Sequence, residues 1–219
     1  PAAFALHGED ENRRVIGRLV ERGLHNELTG EAYAIVEGID GRAHYLHFPV
    51  LDQTSDAAPG AIVETSGWTD RKGRRRESLL VRSDLPLERQ IDARGATWLD
   101  RQDIAREPLA LSDQGFGAEV RQALDARGDH LTSEGLAEQR GGRVVFARRL
   151  LGTLRDRELQ AVGAQLSGET GLPFNKAEAG DYVSGLYRQR LALASGRFAM
   201  IEGYGADGAL GFQLVPWSP

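Results

Sequence analysis

A chain of 219 residues, 41% of them hydrophobic, is long enough for one large domain or two to three small ones with a buried core, which excludes disorder over most of it. The formal charge of −5 argues against coating nucleic acid by bulk attraction, although an average hides local concentrations. With no cysteine there is no disulfide framework, thiolate metal site or cysteine nucleophile, and a reducing cytosol is the simplest compartment.

The N-terminus, Pro1 to Asp10, has neither a cationic region nor a long apolar stretch, and no run of eighteen apolar residues occurs, so a membrane span and a visible secretion signal are not expected. It lacks Met and opens in mid-phrase, which suggests a piece of a longer polypeptide. Of the 27 basic residues only Lys72 and Lys176 are lysines. Arginine forks suit phosphates and base edges, but a GC-rich genome produces the same bias.

From Val15 to Val81 the pattern has period two, with strands expected at Val15–Val20, Tyr33–Glu37, His44–Phe48, Ala61–Glu64 and Ser78–Val81. Gly38–Gly41 and Asp70–Gly73 read as hairpin tips, and the spacing suggests a small antiparallel β-barrel of SH3 or OB type over residues 1–88. Residues 89–170 read as mainly helical. Helices are expected at Thr97–Arg106, ended by Pro108, with Trp98, Arg101 and Ala105 on one side; at Gly117–Ala126; at Leu131–Glu138, capped by Thr132 or Ser133; and at Leu150–Leu166. The glycine pair Gly141-Gly142 turns into a strand, which gives a winged-helix-like outline. Antiparallel strands occupy residues 171–219. The fold class is therefore α+β.

The Arg71-Lys-Gly-Arg-Arg-Arg76 run places five cations in six residues at a hairpin tip beside Trp68. Cations next to a stacking aromatic suit a phosphate backbone and an unstacked base; a solvated hairpin, partly neutralised by Asp70 and Glu77, is the bland alternative. The nucleic-acid-binding candidates are Trp68, Arg71, Lys72, Arg74, Arg75 and Arg76, with Arg143 and Arg148 from a second basic set that includes Arg140, Arg149, Arg155 and Arg157. Some of that second set should pair with Asp156 and Glu158 on a solvated helix. His44 and His47 lie three apart on a strand and face opposite sides, so they cannot chelate together. His7 and His130 belong to no spaced cluster, and no phosphate loop, Rossmann fingerprint or nucleophile elbow is present. No catalytic residue, metal or cofactor is assigned. Tyr33, Tyr45, Tyr182 and Tyr187 read as strand residues, and Trp98 and Trp217 as packing anchors.

The segments Val15–Gly30, Ala34–His44, Ala58–Val63, Gly95–Asp100, Ser195–Ile201 and Leu214–Trp217 resemble the region that lies C-terminal to the catalytic domain of relaxases, the mobilisation nucleases of bacterial conjugative plasmids and integrative elements. In that family a separate domain with a histidine-hydrophobe-histidine motif holds a metal, and a tyrosine attacks the phosphodiester. His44-Tyr-Leu-His47 has one residue too many for that motif, so no catalytic role carries over. The resemblance implies a noncatalytic, cytoplasmic accessory module in DNA transfer. Its partners would be single-stranded or origin-of-transfer DNA, the catalytic domain of the same polypeptide, and the coupling protein of a type IV secretion system. The alternative is a docking module that presents a translocation signal to the coupling protein without binding DNA. An independent hydrolase or metal enzyme is the third reading.

Overall fold

A computed structural model describes the backbone of residues 3–6, 14–177, 180–205 and 208–217, and their side chains apart from residues 3–6 and Arg75. His7 and most of the N-terminal segment read above lie outside the described residues. The architecture is α+β. Strands β1 (Ala3–Leu6), β2 (Ile16–Asn26), β3 (Glu31–Gly38), β4 (Arg42–Phe48), β5 (Ile62–Thr69) and β6 (Arg75–Ser83) form one sheet, followed by helices α1 (Leu87–Gln90), α2 (Trp98–Asp103) and α3 (Gly115–Ser133). A hairpin of β7 (Ala137–Arg140) and β8 (Arg143–Phe146) leads to α4 (Leu150–Thr170). The chain then forms a second antiparallel sheet of β9 (Leu186–Leu193), β10 (Gly196–Tyr204) and β11 (Leu210–Pro216). Two compact units result: Pro1–Asp92 with Trp98–Ala137, and Ala93–Thr97 with Glu138–Pro219.

In the N-terminal unit, period-two alternation buries Ala32, Ala34 and Val36 of β3 beside Leu19, Leu46, Phe48, Val63 and Leu79. All five strands expected between Val15 and Val81 are present. The sheet order, β1-β4-β3-β2-β5-β6, is linear, with no ladder between β1 and β6 among the described residues. Barrel closure is therefore absent there: β1 pairs in parallel with β4 and occupies the edge that β6 would need. On the other face of the sheet, Ile16 and Ile62 pack against Trp98, Leu99, Phe116 and Val120 of α2 and α3.

Two helix expectations are corrected. α2 ends at Asp103, five residues before Pro108, so Ala105 lies beyond it and is exposed. Leu131–Glu138 is not a separate helix but begins within the last turn of α3; Thr132 Oγ1 donates to the Gly128 carbonyl at 2.8 Å and Ser133 Oγ to that of His130 at 2.7 Å. The hydroxyls bond backward instead of capping forward, and Gly135 (φ 70°) follows with the left-handed turn.

α3 approaches the β3–β4 turn through Gly117. A Cβ at this position would lie 2.2 Å from the Ile39 carbonyl oxygen and 2.6 Å from the Ser112 amide nitrogen. Both obstacles are backbone, so Gly117→Ala should destabilise the unit by about 1–3 kcal/mol in urea unfolding. Unchanged stability would show that α3 can be displaced.

Asp103 on α2 has a buried Oδ2 without a hydrogen-bond partner among the described residues. Burial, followed by the nearby charges of Asp100 and Asp125, pushes its carboxyl up to about 6. A carboxyl raised in the folded state loses stability as pH rises from the ordinary value near 4 through 6, because the fold then holds an unwanted charge. Asp103→Asn should therefore gain about 1–2 kcal/mol at pH 7.5, after allowance for partial exposure, and nothing at pH 3.5. Equal gains at both pH values would contradict this assignment.

In the C-terminal unit, Leu159, Val162 and Leu166 of α4 cover Phe198, Met200, Phe212 and Leu214. Gly163 leaves room for Phe174, whose ring lies 5.5 Å from that of Phe212. The buried carboxylate of Glu158 accepts the amides of Ala194 and Ser195, each at 2.9 Å, and so pins the β9–β10 turn to α4. Ser195 Oγ in turn accepts the Ala96 amide at 2.9 Å, and Gly95, with no side chain, leaves space for the carboxylate.

Candidate nucleic-acid interface

The β5–β6 hairpin runs past the core of its sheet: Gly67, Trp68, Thr69 and Arg71 to Arg74 are exposed, and none of them belongs to the core cluster. Its turn is organised by Asp70. Oδ1 accepts the amides of Lys72 and Arg74, both at 2.9 Å, and the Gly73 amide donates to the Asp70 carbonyl at 2.9 Å. Oδ2 accepts Nε of Arg74 at 3.0 Å and Nε of Arg76 at 3.2 Å. This is an Asx turn closed by glycine at φ 75°, which is why the sequence Asp-Arg-Lys-Gly folds here. The Arg74 amide, then the Lys72 amide and the two guanidiniums, hold the Asp70 carboxyl down at about 2. The clip therefore persists throughout the neutral range and opens only as pH falls toward 2.

The consequence is a division among the cations. Arg74 and Arg76 are drawn back along the hairpin by Asp70, whereas Arg71 and Lys72 are exposed at the turn, with no side-chain partner among the described residues. Trp68 is directly opposite Arg76 in the ladder, hence on the same face, and 47% exposed. The structure thus brings Trp68, Arg71, Lys72, Arg74 and Arg76 onto one hairpin; Arg75 is on β6, and its side chain is outside the description. At the base of the hairpin Glu64 takes Nε of Arg82 at 2.6 Å and is also paired with Arg14. Burial raises the Glu64 carboxyl, but the two guanidiniums outweigh it and leave the group below its ordinary value.

Arg143 and Arg148 belong to the C-terminal unit, whereas the hairpin belongs to the N-terminal one. Both are exposed, Arg143 on β8 and Arg148 just before α4. α4 has no acidic residue in its first turn, so no carboxylate of that turn offsets Arg148 and Arg149 at the positive end of its dipole. Of the carboxylates expected to neutralise this set, Asp156 faces Lys176 at 3.3 Å and Glu158 serves the backbone amides. The C-terminal unit carries eleven basic against eight acidic residues, a net +3, while the N-terminal unit carries sixteen against twenty-four, a net −8. The overall −5 conceals this division.

His44 is buried with Nε2 2.8 Å from Asp40, and His47 is exposed on the opposite face, as strand alternation requires. Among the described residues no group of three or more His, Asp or Glu is placed to hold a metal, and no helix is long and apolar enough to cross a membrane. Tyr33 and Tyr45 lie on the sheet face, stacked at 5.6 Å. The expectation for Tyr182 is corrected: it lies outside any strand and is 93% exposed. Trp98 is buried as expected of an anchor, but Trp217 is 41% exposed.

The chain belongs to the family described as Protein of unknown function (DUF3363), which matches it over residues 1–78 and 68–219. No curated protein and no solved structure matches it.

Proposed function

We propose that this chain is a noncatalytic accessory module of a relaxase in bacterial conjugative DNA transfer, working in the cytoplasm and holding single-stranded DNA near the origin of transfer. The observation that carries the reading is the Asp70-clipped hairpin, which exposes Arg71 and Lys72 at its turn and carries the half-exposed ring of Trp68 on its β5 arm. Cations there neutralise phosphates, and the indole offers a face to an unstacked base. The resemblance of segments along the chain to the region after a relaxase catalytic domain supplies the setting. The transesterase activity would belong to that other domain.

The test is fluorescence-anisotropy titration against single- and double-stranded oligonucleotides at about 50 and 200 mM salt. Single strands should bind, more weakly at the higher salt; no binding to either at the lower salt would overturn the reading. One observation favours the docking alternative: β9 is an edge strand with Leu186 and Tyr187 exposed, a geometry open to strand addition by a partner. Capture of the coupling protein by a chain that binds no DNA would establish that alternative.

A further inference from the structure

We infer that the C-terminal unit carries its own stacking site for an unpaired nucleobase, formed by Tyr187 and Trp217 and flanked by Arg190. It shares with the hairpin reading only the class of ligand, and it stands if the hairpin is inert.

The site exists because of one irregularity in β9. Along β10, Phe198 and Met200 face α4, so Arg197, Ala199 and Ile201 face away from it. Leu191 opposite Phe198 and Gln189 opposite Met200 follow the same alternation, which would carry Tyr187 toward α4 as well. The register shifts between Met200 and Ile201, however: Arg188 is extra, and Tyr187 comes opposite Ile201 on the open face. Trp217 continues the β11 ladder, its amide donating to the Arg197 carbonyl at 2.8 Å, and follows the inward-facing register of Pro216 opposite Phe198. It therefore also points outward, and the two rings meet with centroids 5.6 Å apart at 41°.

Tyr187 and Trp217 remain 49% and 41% exposed, although Ala199 on the same face is fully buried. Two large rings held together over a covered sheet, with nearly half of each in solvent, offer a preformed aromatic surface. Arg190 opposes Ala199 on that face and Arg197 is two residues before it, in a unit of net charge +3. A bare aromatic pair would suit a proline-rich peptide equally. The adjoining arginines and the positive unit favour a polyanion whose bases can stack, hence single-stranded nucleic acid.

The experiment uses the full chain with a labelled oligo-dT and an abasic phosphodiester of the same length, and compares wild type with Tyr187→Ala, Trp217→Ala and Trp217→Phe. Both alanine variants should bind oligo-dT about tenfold more weakly, with an unchanged salt slope, and the abasic strand as wild type does; Trp217→Phe should keep most of the affinity. Thermal unfolding of each variant separates lost binding from lost folding, and Trp217→Phe keeps the test valid if an alanine variant unfolds. Wild-type affinity in the alanine variants, or an equal loss on the abasic strand, would overturn the inference, as would displacement of oligo-dT from these rings by a proline-rich peptide. If the wild type binds oligo-dT and only substitutions at Arg71 and Lys72 weaken it, this site falls and the hairpin stands; the reverse result removes the hairpin and keeps this site.

Discussion

Arg127→Met should destabilise the N-terminal unit by about 3–5 kcal/mol, the largest single-residue effect expected in this chain. Arg127 on α3 and Asp100 on α2 are both fully buried. The guanidinium grips the carboxylate at two points, Nε to Oδ1 at 2.8 Å and Nη2 to Oδ2 at 3.0 Å, and Nη1 reaches the Ile91 carbonyl at 3.2 Å. Such a pair gains little over an apolar replacement, since desolvation offsets the attraction, but removing one member strands a charge where water cannot reach it. The double variant Arg127→Met/Asp100→Leu should therefore recover much of the stability. Urea unfolding at pH 7 of the two single variants and the double variant provides the comparison, and a loss below about 1 kcal/mol for Arg127→Met would contradict the burial of this pair. The same change removes a cation that lowers the Asp103 carboxyl, so Asp103 should titrate still higher in that background.

Arg71→Gln/Lys72→Gln should weaken single-stranded DNA binding roughly 25-fold at 0.1 M salt. The magnitude follows from counterion release, in which each phosphate neutralised on a single strand contributes about 0.7 to the slope of log affinity against log salt. Without these two cations the slope falls by about 1.4 and the affinity by the corresponding factor. The two residues are chosen because they are exposed and their side chains take no part in the Asp70 clip, so stability should be unchanged. Substituting Arg74 or Arg76 instead would also remove a guanidinium from the Asp70 clip.

Much of this fold is legible in the sequence where a single periodicity governs. The alternation of Tyr33-Ala-Ile-Val-Glu37 gives β3, and Asp70 with Gly73 gives the turn, because these signals are local and the core accepts them unchanged. α4 is likewise continuous in pattern, although it runs past the expected end at Leu166 to Thr170, where Gly171 at φ 72° closes it. The continuity of α3 is hidden, since Thr132 and Ser133 resemble caps and nothing local shows that their hydroxyls turn back. β1 is illegible because a four-residue strand depends on the β4 edge it joins. At the candidate site, the clustered cations are visible, but their division into clipped and outward pairs depends on the geometry around Asp70. The Tyr187–Trp217 pair is hidden for a further reason: one bulge at Arg188 reverses the face that alternation assigns to Tyr187.

The most direct test of the central claim is the salt dependence of single-stranded DNA binding, measured side by side for wild type and Arg71→Gln/Lys72→Gln. Wild-type affinity should fall linearly in log–log form, and the variant slope should be shallower by about 1.4. Wild type that binds no single strand at about 50 mM salt, or a variant with the wild-type slope, would contradict the claim.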